Sequence, residues 1–357
     1  MVRNVNPNPY DALLKDDWWF PDQLDQSQTL EKGVLSESQI QSFMHHGFVV
    51  VTGLWPTATI EQAATEAIEL HPPEDSAQRD KEQTSLQNLS AMPWTQRRED
   101  SSDAILNHMT IHPRALAAVA QLMDSDVLDI RLSQSHVIAK SGWRIHPDEP
   151  DDNRIMGDQN IHVDYGNNTL MVPARTDTPD SVACLCYYSD VDESGGATHF
   201  ARALPGELTT YEPNQFNPPN FVVHAKDGFA GSETGPRSAD NTKRRYDEEK
   251  PVYYKPGTCI LYRLDAWHRG TPVALGKIRH THHHVWRHKN AEWINWQSLA
   301  PRMSAMPTRY LSELSVAQRT VLGFAAPGNS YWTAETIDSV SQRYPGMDMT
   351  PYIQAMG

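Results

Sequence analysis

Apolar positions recur at helical spacing towards both ends of the chain and alternate through its middle. Ile40, Phe43 and Met44 repeat at three and four residues behind Ser36-Glu37-Ser38-Gln39, a capping-box sequence, and Gly47 marks the helix end. A short strand over Phe48 to Val51 follows. A second helix carries Ile60, Ala63, Ala64, Ala67 and Ile68 on one stripe, with Thr57 as its expected cap and Pro72-Pro73 as its stop. A third runs from Pro113 to Met123 on Leu116, Val119, Ala120 and Met123. The period then changes. From Val127 to Ala139 the positions Ile130, Leu132, Gln134, His136 and Ile138 share one face of an extended chain, which predicts a strand. Further strands are expected at Thr169 to Val172, Ser181 to Tyr188, Ala197 to Ala201, Thr258 to Arg263 and Lys277 to Arg287, with Asp192 to Gly196 as a turn. Helical spacing returns after His288, at Tyr310-Leu311, Val316 to Leu322 and Thr333 to Arg343.

Helices followed by many short strands with Gly and Pro turns predict a mainly β sandwich or barrel with flanking helices. The expected organisation is a single catalytic domain over 1–357. It has an N-terminal arm (1–33) docked by Trp18, Trp19 and Phe20, a helical flank (34–126), a β core (127–288) and a C-terminal helical extension (289–357). Residues 207–250 are polar and rich in Asn, Pro and Gly. A stretch that long inside a compact domain reads as an insertion or lid near the site.

Composition narrows the class. With 39% hydrophobic and 21% charged residues, the 357-residue chain is globular, and a net charge of -14 argues against nucleic-acid and anionic-membrane partners. The first residues lack a signal-peptide core, and no apolar run reaches transmembrane length. Cys184, Cys186 and Cys259 read as buried free thiols of a reducing compartment, so a cytoplasmic location is expected. Oligomeric state is left open by the sequence.

The chemistry centres on Gln159-Asn160-Ile161-His162-Val163-Asp164-Tyr165. Residues two apart in an extended segment face the same way, so His162 and Asp164 can converge on one metal ion. His268, in Leu264-Asp265-Ala266-Trp267-His268-Arg269-Gly270-Thr271-Pro272, would complete a 2-His-1-carboxylate facial triad. Such a triad leaves coordination positions open for non-haem Fe(II) and O2. Arg279 follows eleven residues later on the next strand, with Thr281, His283 and Val285 on its face. An open Fe(II) site needs an electron donor. 2-Oxoglutarate would chelate the metal through its keto acid, and Arg279 offers a bidentate fork for its far carboxylate. Thr271 is a second candidate contact to that carboxylate. His280, His282 and His284 fall on the opposite face and read as an adventitious metal set. Trp143, His146, Tyr187, Trp267 and His283 are candidates for the substrate pocket. A Zn hydrolase using the same three ligands lacks the H-E-x-x-H helix arrangement. A non-catalytic metal or small-molecule binding protein has no need of both the triad and Arg279.

On these residues the chain resembles the phytanoyl-CoA dioxygenase family of Fe(II)/2-oxoglutarate oxygenases. The resemblance runs through Ile40 to Leu54, His162-Val163-Asp164, Glu193 to Gly206, His268 to Arg279, and the C-terminal Leu322 to Gly328, Tyr331 to Thr333 and Tyr344 to Asp348. It implies a double-stranded β-helix (jelly-roll, cupin-like) core. It also implies Fe(II) at His162, Asp164 and His268, 2-oxoglutarate at Arg279, O2 as co-substrate and a small-molecule substrate. Halogenating relatives lack the carboxylate. Asp164 is present here, so hydroxylation with release of succinate and CO2 is expected. One departure stands out: the family often carries a hydroxyl residue two places after the distal histidine, where this chain has Gly270.

Overall fold

The computed structural model describes residues 34–73, 87–93, 104–142, 159, 161, 164, 179–201, 244–291 and 308–356. The expected arm over 1–33, the strand at Thr169 to Val172 and residues 207–243 of the expected insertion lie outside the described residues. So do His162, Trp143 and His146.

Nine strands are described: β1 (Phe48–Val51), β2 (Gln87–Ala91), β3 (Ile130–Ser141), β4 (Ser181–Tyr187), β5 (Thr198–Ala201), β6 (Lys250–Pro251), β7 (Cys259–Tyr262), β8 (Trp267–Gly270) and β9 (Ile278–His288). They form an antiparallel six-stranded sheet in the order β1-β7-β4-β9-β3-β2 and an antiparallel three-stranded sheet in the order β6-β5-β8. The fold is mainly β with flanking helices, its two sheets facing each other as in a jelly roll.

Both faces of the large sheet are covered. One face presents Val49, Val51, Val137, Cys184, Cys186, Cys259, Leu261 and Trp286 to a core shared with Leu116, Val119 and Met123 of the helix Pro113–Met123. The other presents Phe48, Val50, Ala183, Tyr187, Ile260, Tyr262 and Val285 to Phe200, Val252 and Tyr254 of the small sheet and its approach. Double coverage explains why burial runs unbroken along β1 and β7, and is interrupted only at half-buried Leu185 in β4, instead of alternating.

The helices follow their sequence signals with a few corrections. Ser36 and Gln39 close the capping box of Glu37–His46, and Gly47 ends it in the left-handed region. Thr57 is the first helical residue of Thr57–Leu70, not its cap; Pro56 precedes it and supplies no side-chain bond. Ile68 is 42% exposed, whereas Glu66 and Leu70 are buried. The Glu66 carboxylate accepts from the backbone N–H groups of Ile105 and Leu106, both at 3.1 Å, and so caps the helix Ile105–Met109. The expected turn after Asp190 is a single helical turn, Val191–Ser194. The end of the expected polar insertion is ordered too, helical over 244–248 and then β6. No helix among the described residues is long and apolar enough to cross a membrane.

One chain of contacts carries the first helix to the site. Arg263 donates to Met44 O at 2.7 Å and grips Asp265 through two bonds of 2.8 and 3.0 Å, while its backbone N–H donates to Gly47 O at 2.7 Å. The β7–β8 turn is therefore clamped to the helix end. Gly47 has φ +81°, and a Cβ there would lie 3.0 Å from Ala266 Cβ. Gly47→Val is expected to lower the unfolding free energy by about 2 kcal/mol, read by denaturant unfolding, because it adds left-handed strain and a clash at that turn.

Candidate active site

β8 lies beside Gln159 and Ile161. Gln159 N–H donates to Gly270 O at 3.0 Å, Gly270 N–H donates back to Gln159 Oε1 at 2.8 Å, and Ile161 packs on Trp267. This brings Asp164 Oδ2 to 3.6 Å from His268 Nε2. The imidazole is fixed from three sides. Its Nδ1–H donates to Ala266 O at 2.9 Å, Phe200 stacks on it with ring centroids 5.5 Å apart, and Tyr262 lies at 4.9 Å.

That tautomer has a consequence. A carbonyl can only accept, so the proton sits on Nδ1 and a neutral His268 turns the Nε2 lone pair towards Asp164. Two acceptors then face each other across 3.6 Å. A protonated imidazolium would close that gap to the roughly 2.8 Å of a charge-assisted bond. A cation placed between them would be within reach of both, since N and O ligands bind at about 2 Å. The donor set thus fits a divalent metal, with Ala266 O in the supporting role usual for a ligating histidine. No group of three or more metal-ligating side chains is assembled among the described residues.

Arg279 lies on the same sheet face. It is 6% exposed, and one Nη donates to Gly196 O. Its guanidinium carbon is 5.9 Å above the Tyr187 ring, and its Nε is buried without a hydrogen-bond partner among the described residues. Tyr187 stacks on Tyr254 at 3.8 Å and hydrogen-bonds Thr198 at 2.6 Å, so it forms the floor beneath the arginine. Burial raises the Tyr187 phenol, with Arg279 opposing, so it stays neutral.

Register adds a residue that motif spacing did not show. Lys140 is the direct β3 partner of Arg279, is 2% exposed and donates to Thr271 O at 3.1 Å. Two buried cations therefore share one site face. The departure at Gly270 follows from this packing: a Cβ there would come 2.6 Å from Gln159 Oε1 and 3.5 Å from Lys140 Nζ. The Thr271 hydroxyl is engaged by Ala197 O at 2.8 Å.

The remaining described candidates separate by face. His283 lies on the Arg279 face opposite His136, whereas His282 and His284 are buried on the helix-covered face with Ser135, Thr110 and Tyr188. Trp267 is 1% exposed, with the Arg245 guanidinium 3.4 Å over its ring, and belongs to the packing that supports β8. Arg269 binds both oxygens of Glu249, at 2.6 and 2.8 Å, and pins β8 to the approach of β6.

No known family matches the sequence, and no curated protein does. Among solved structures, the chain is similar to the non-heme alpha ketoglutarate dependent carbocyclase SnoK from nogalamycin biosynthesis. The identity is 13%, covering 79% of this chain and 94% of that one, with a TM-score of 0.47. The epimerase SnoN in complex with Fe3+, alpha ketoglutarate and nogalamycin RO is similar at 15% identity, covering 72% and 85%, with a TM-score of 0.46. HygX from Streptomyces hygroscopicus, with nickel and 2-oxoglutarate bound, is similar at 13% identity, covering 74% and 90%, with a TM-score of 0.42.

Proposed function

We propose that the chain is an Fe(II)- and 2-oxoglutarate-dependent dioxygenase of the phytanoyl-CoA dioxygenase type. In this reading it hydroxylates a small organic substrate and releases succinate and CO2. The observation that carries the proposal is the pair of facing acceptors, His268 Nε2 and Asp164 Oδ2 at 3.6 Å, on the sheet face that also buries Arg279. His162 supplies the third ligand by its spacing to Asp164. Bound iron would supply the centre at which O2 is reduced as 2-oxoglutarate is decarboxylated.

The chain's own residues do the rest. Ala266 O holds His268 in the tautomer that presents Nε2. Phe200 and Tyr262 shield the imidazole from water. Arg279, with no carboxylate partner among the described residues, binds the far carboxylate of 2-oxoglutarate. Lys140 adds positive charge on that face, which draws an anion into a protein whose net charge is -14. Asp164, occupying the carboxylate position of the triad, favours hydroxylation.

Titration of the Mn(II)-loaded protein with 2-oxoglutarate tests the anchor. Arg279→Ala is expected to weaken binding about 30- to 100-fold, the roughly 2–3 kcal/mol of charge-assisted hydrogen bonds. Unchanged affinity would remove the arginine from the site and the proposal with it.

A further inference from the structure

Tyr262 stands at the centre of the site, yet no motif contains it. Its hydroxyl donates to Asp164 Oδ2 at 2.9 Å and meets His283 Nε2 at 2.8 Å. A phenol has one proton. With that proton on Asp164, His283 Nε2–H must be the donor to the Tyr262 oxygen. The His283 Nδ1 is then an acceptor, and Gln134 Nε2 lies 3.5 Å from it. The chain Gln134, His283, Tyr262, Asp164 therefore has one consistent direction and ends on the carboxylate.

The oxygen that Tyr262 holds is the one facing His268 Nε2. The Tyr262 ring meanwhile packs against His268 at 4.9 Å, Phe200 at 5.8 Å and His283 at 6.1 Å. One side chain thus touches both described metal-ligand candidates, one through its hydroxyl and the other through its ring. Burial, with the Asp164 charge beside it, raises the phenol well above its ordinary range, so it remains a donor. β7 lies between β1 and β4 in the large sheet, a rigid base for such a contact.

We infer that Tyr262 is the positioning residue of the metal site, holding the Asp164 carboxylate through a hydroxyl that His283 orients. This rests on reading Asp164 and His268 as metal ligands. Tyr262 touches no reacting atom; it acts through Asp164, as partners behind metal ligands generally do.

The test uses Co(II), whose visible spectrum reports ligand geometry. Tyr262→Phe keeps the ring and removes only the hydroxyl. Relative to wild type, it is expected to weaken Co(II) binding about 10-fold or more and to change the visible bands. Far-ultraviolet circular dichroism should remain that of the wild type. Affinity within twofold and an unchanged spectrum would overturn the inference and leave the metal reading standing. Absence of Co(II) binding by the wild type would overturn the metal reading and this inference with it. If Tyr262→Phe does not fold, His283→Asn carries the test. It should weaken Co(II) binding in the same direction, and equality with wild type would overturn the proposal.

Discussion

Replacing His268 with alanine is expected to lower 2-oxoglutarate turnover to succinate by about 10^3-fold or more, equivalent to roughly 4 kcal/mol of transition-state stabilisation. The loss follows from the position of Nε2. With Nδ1 committed to Ala266 O, Nε2 is the ring atom that faces Asp164, and no other described side chain stacks in its place between Phe200 and Tyr262. Folding should survive, because the apolar side chains of the adjoining core, Phe200, Tyr262 and Val285 among them, are all retained. The measurement is Fe(II)-dependent succinate release, with thermal unfolding recorded beside it. Turnover within tenfold of wild type, in a protein that still folds, would mean that His268 is not a ligand.

Stability should fall by on the order of 4 kcal/mol between pH 7 and pH 5.5, and histidines are the cause. His136, His282 and His284 are at most 3% exposed. Burial holds all three in the neutral form. It pushes His136 down to about 3, with His283 adding to the shift. His282 and His284 are lowered well below 6.5 by burial and by neighbouring imidazoles. Their rings lie 3.9 Å apart, so two charges there would repel strongly.

In the unfolded chain each imidazole titrates near 6.5, so below that pH the unfolded state takes up protons that the native state refuses. The stabilisation is complete above about pH 6.5 and is lost as pH falls towards the folded values. Each group contributes roughly 1.4 kcal/mol per pH unit, and three groups over one unit give the stated loss. Carboxylates with lowered native values, Asp190 and Glu249, act in a lower window, below their ordinary 3.8 and 4.5. Denaturant unfolding at pH 7, 6 and 5.5 separates the two windows. A flat profile down to pH 5.5 would contradict the buried neutral network.

Much of this organisation is written locally in the chain. The capping box at Ser36, the left-handed Gly47 and the long β3 and β9 are readable because period, caps and turns are local signals. Period-two alternation also places Arg279 and His283 on one face of β9, as cross-strand pairing confirms. What the chain does not show locally is register. Lys140 falls just past the strand that the pattern ends at Ala139, until β3 and β9 pair and set it beside Arg279. Tyr262 looks like core until its hydroxyl meets Asp164, 98 residues away in sequence. Gly270 looks like a lost hydroxyl until Gln159 and Lys140 fill the space a side chain would need.

The measurement that bears most directly on the site is an anaerobic titration of the protein with Fe(II) and then 2-oxoglutarate, watched for a visible metal-to-ligand charge-transfer band. The predicted result is a band in the wild type, lost in His268→Ala and weakened in Arg279→Ala. Fe(II) bound by the wild type with no band on saturation with 2-oxoglutarate would contradict an oxygenase and leave a metal-binding protein on the same fold.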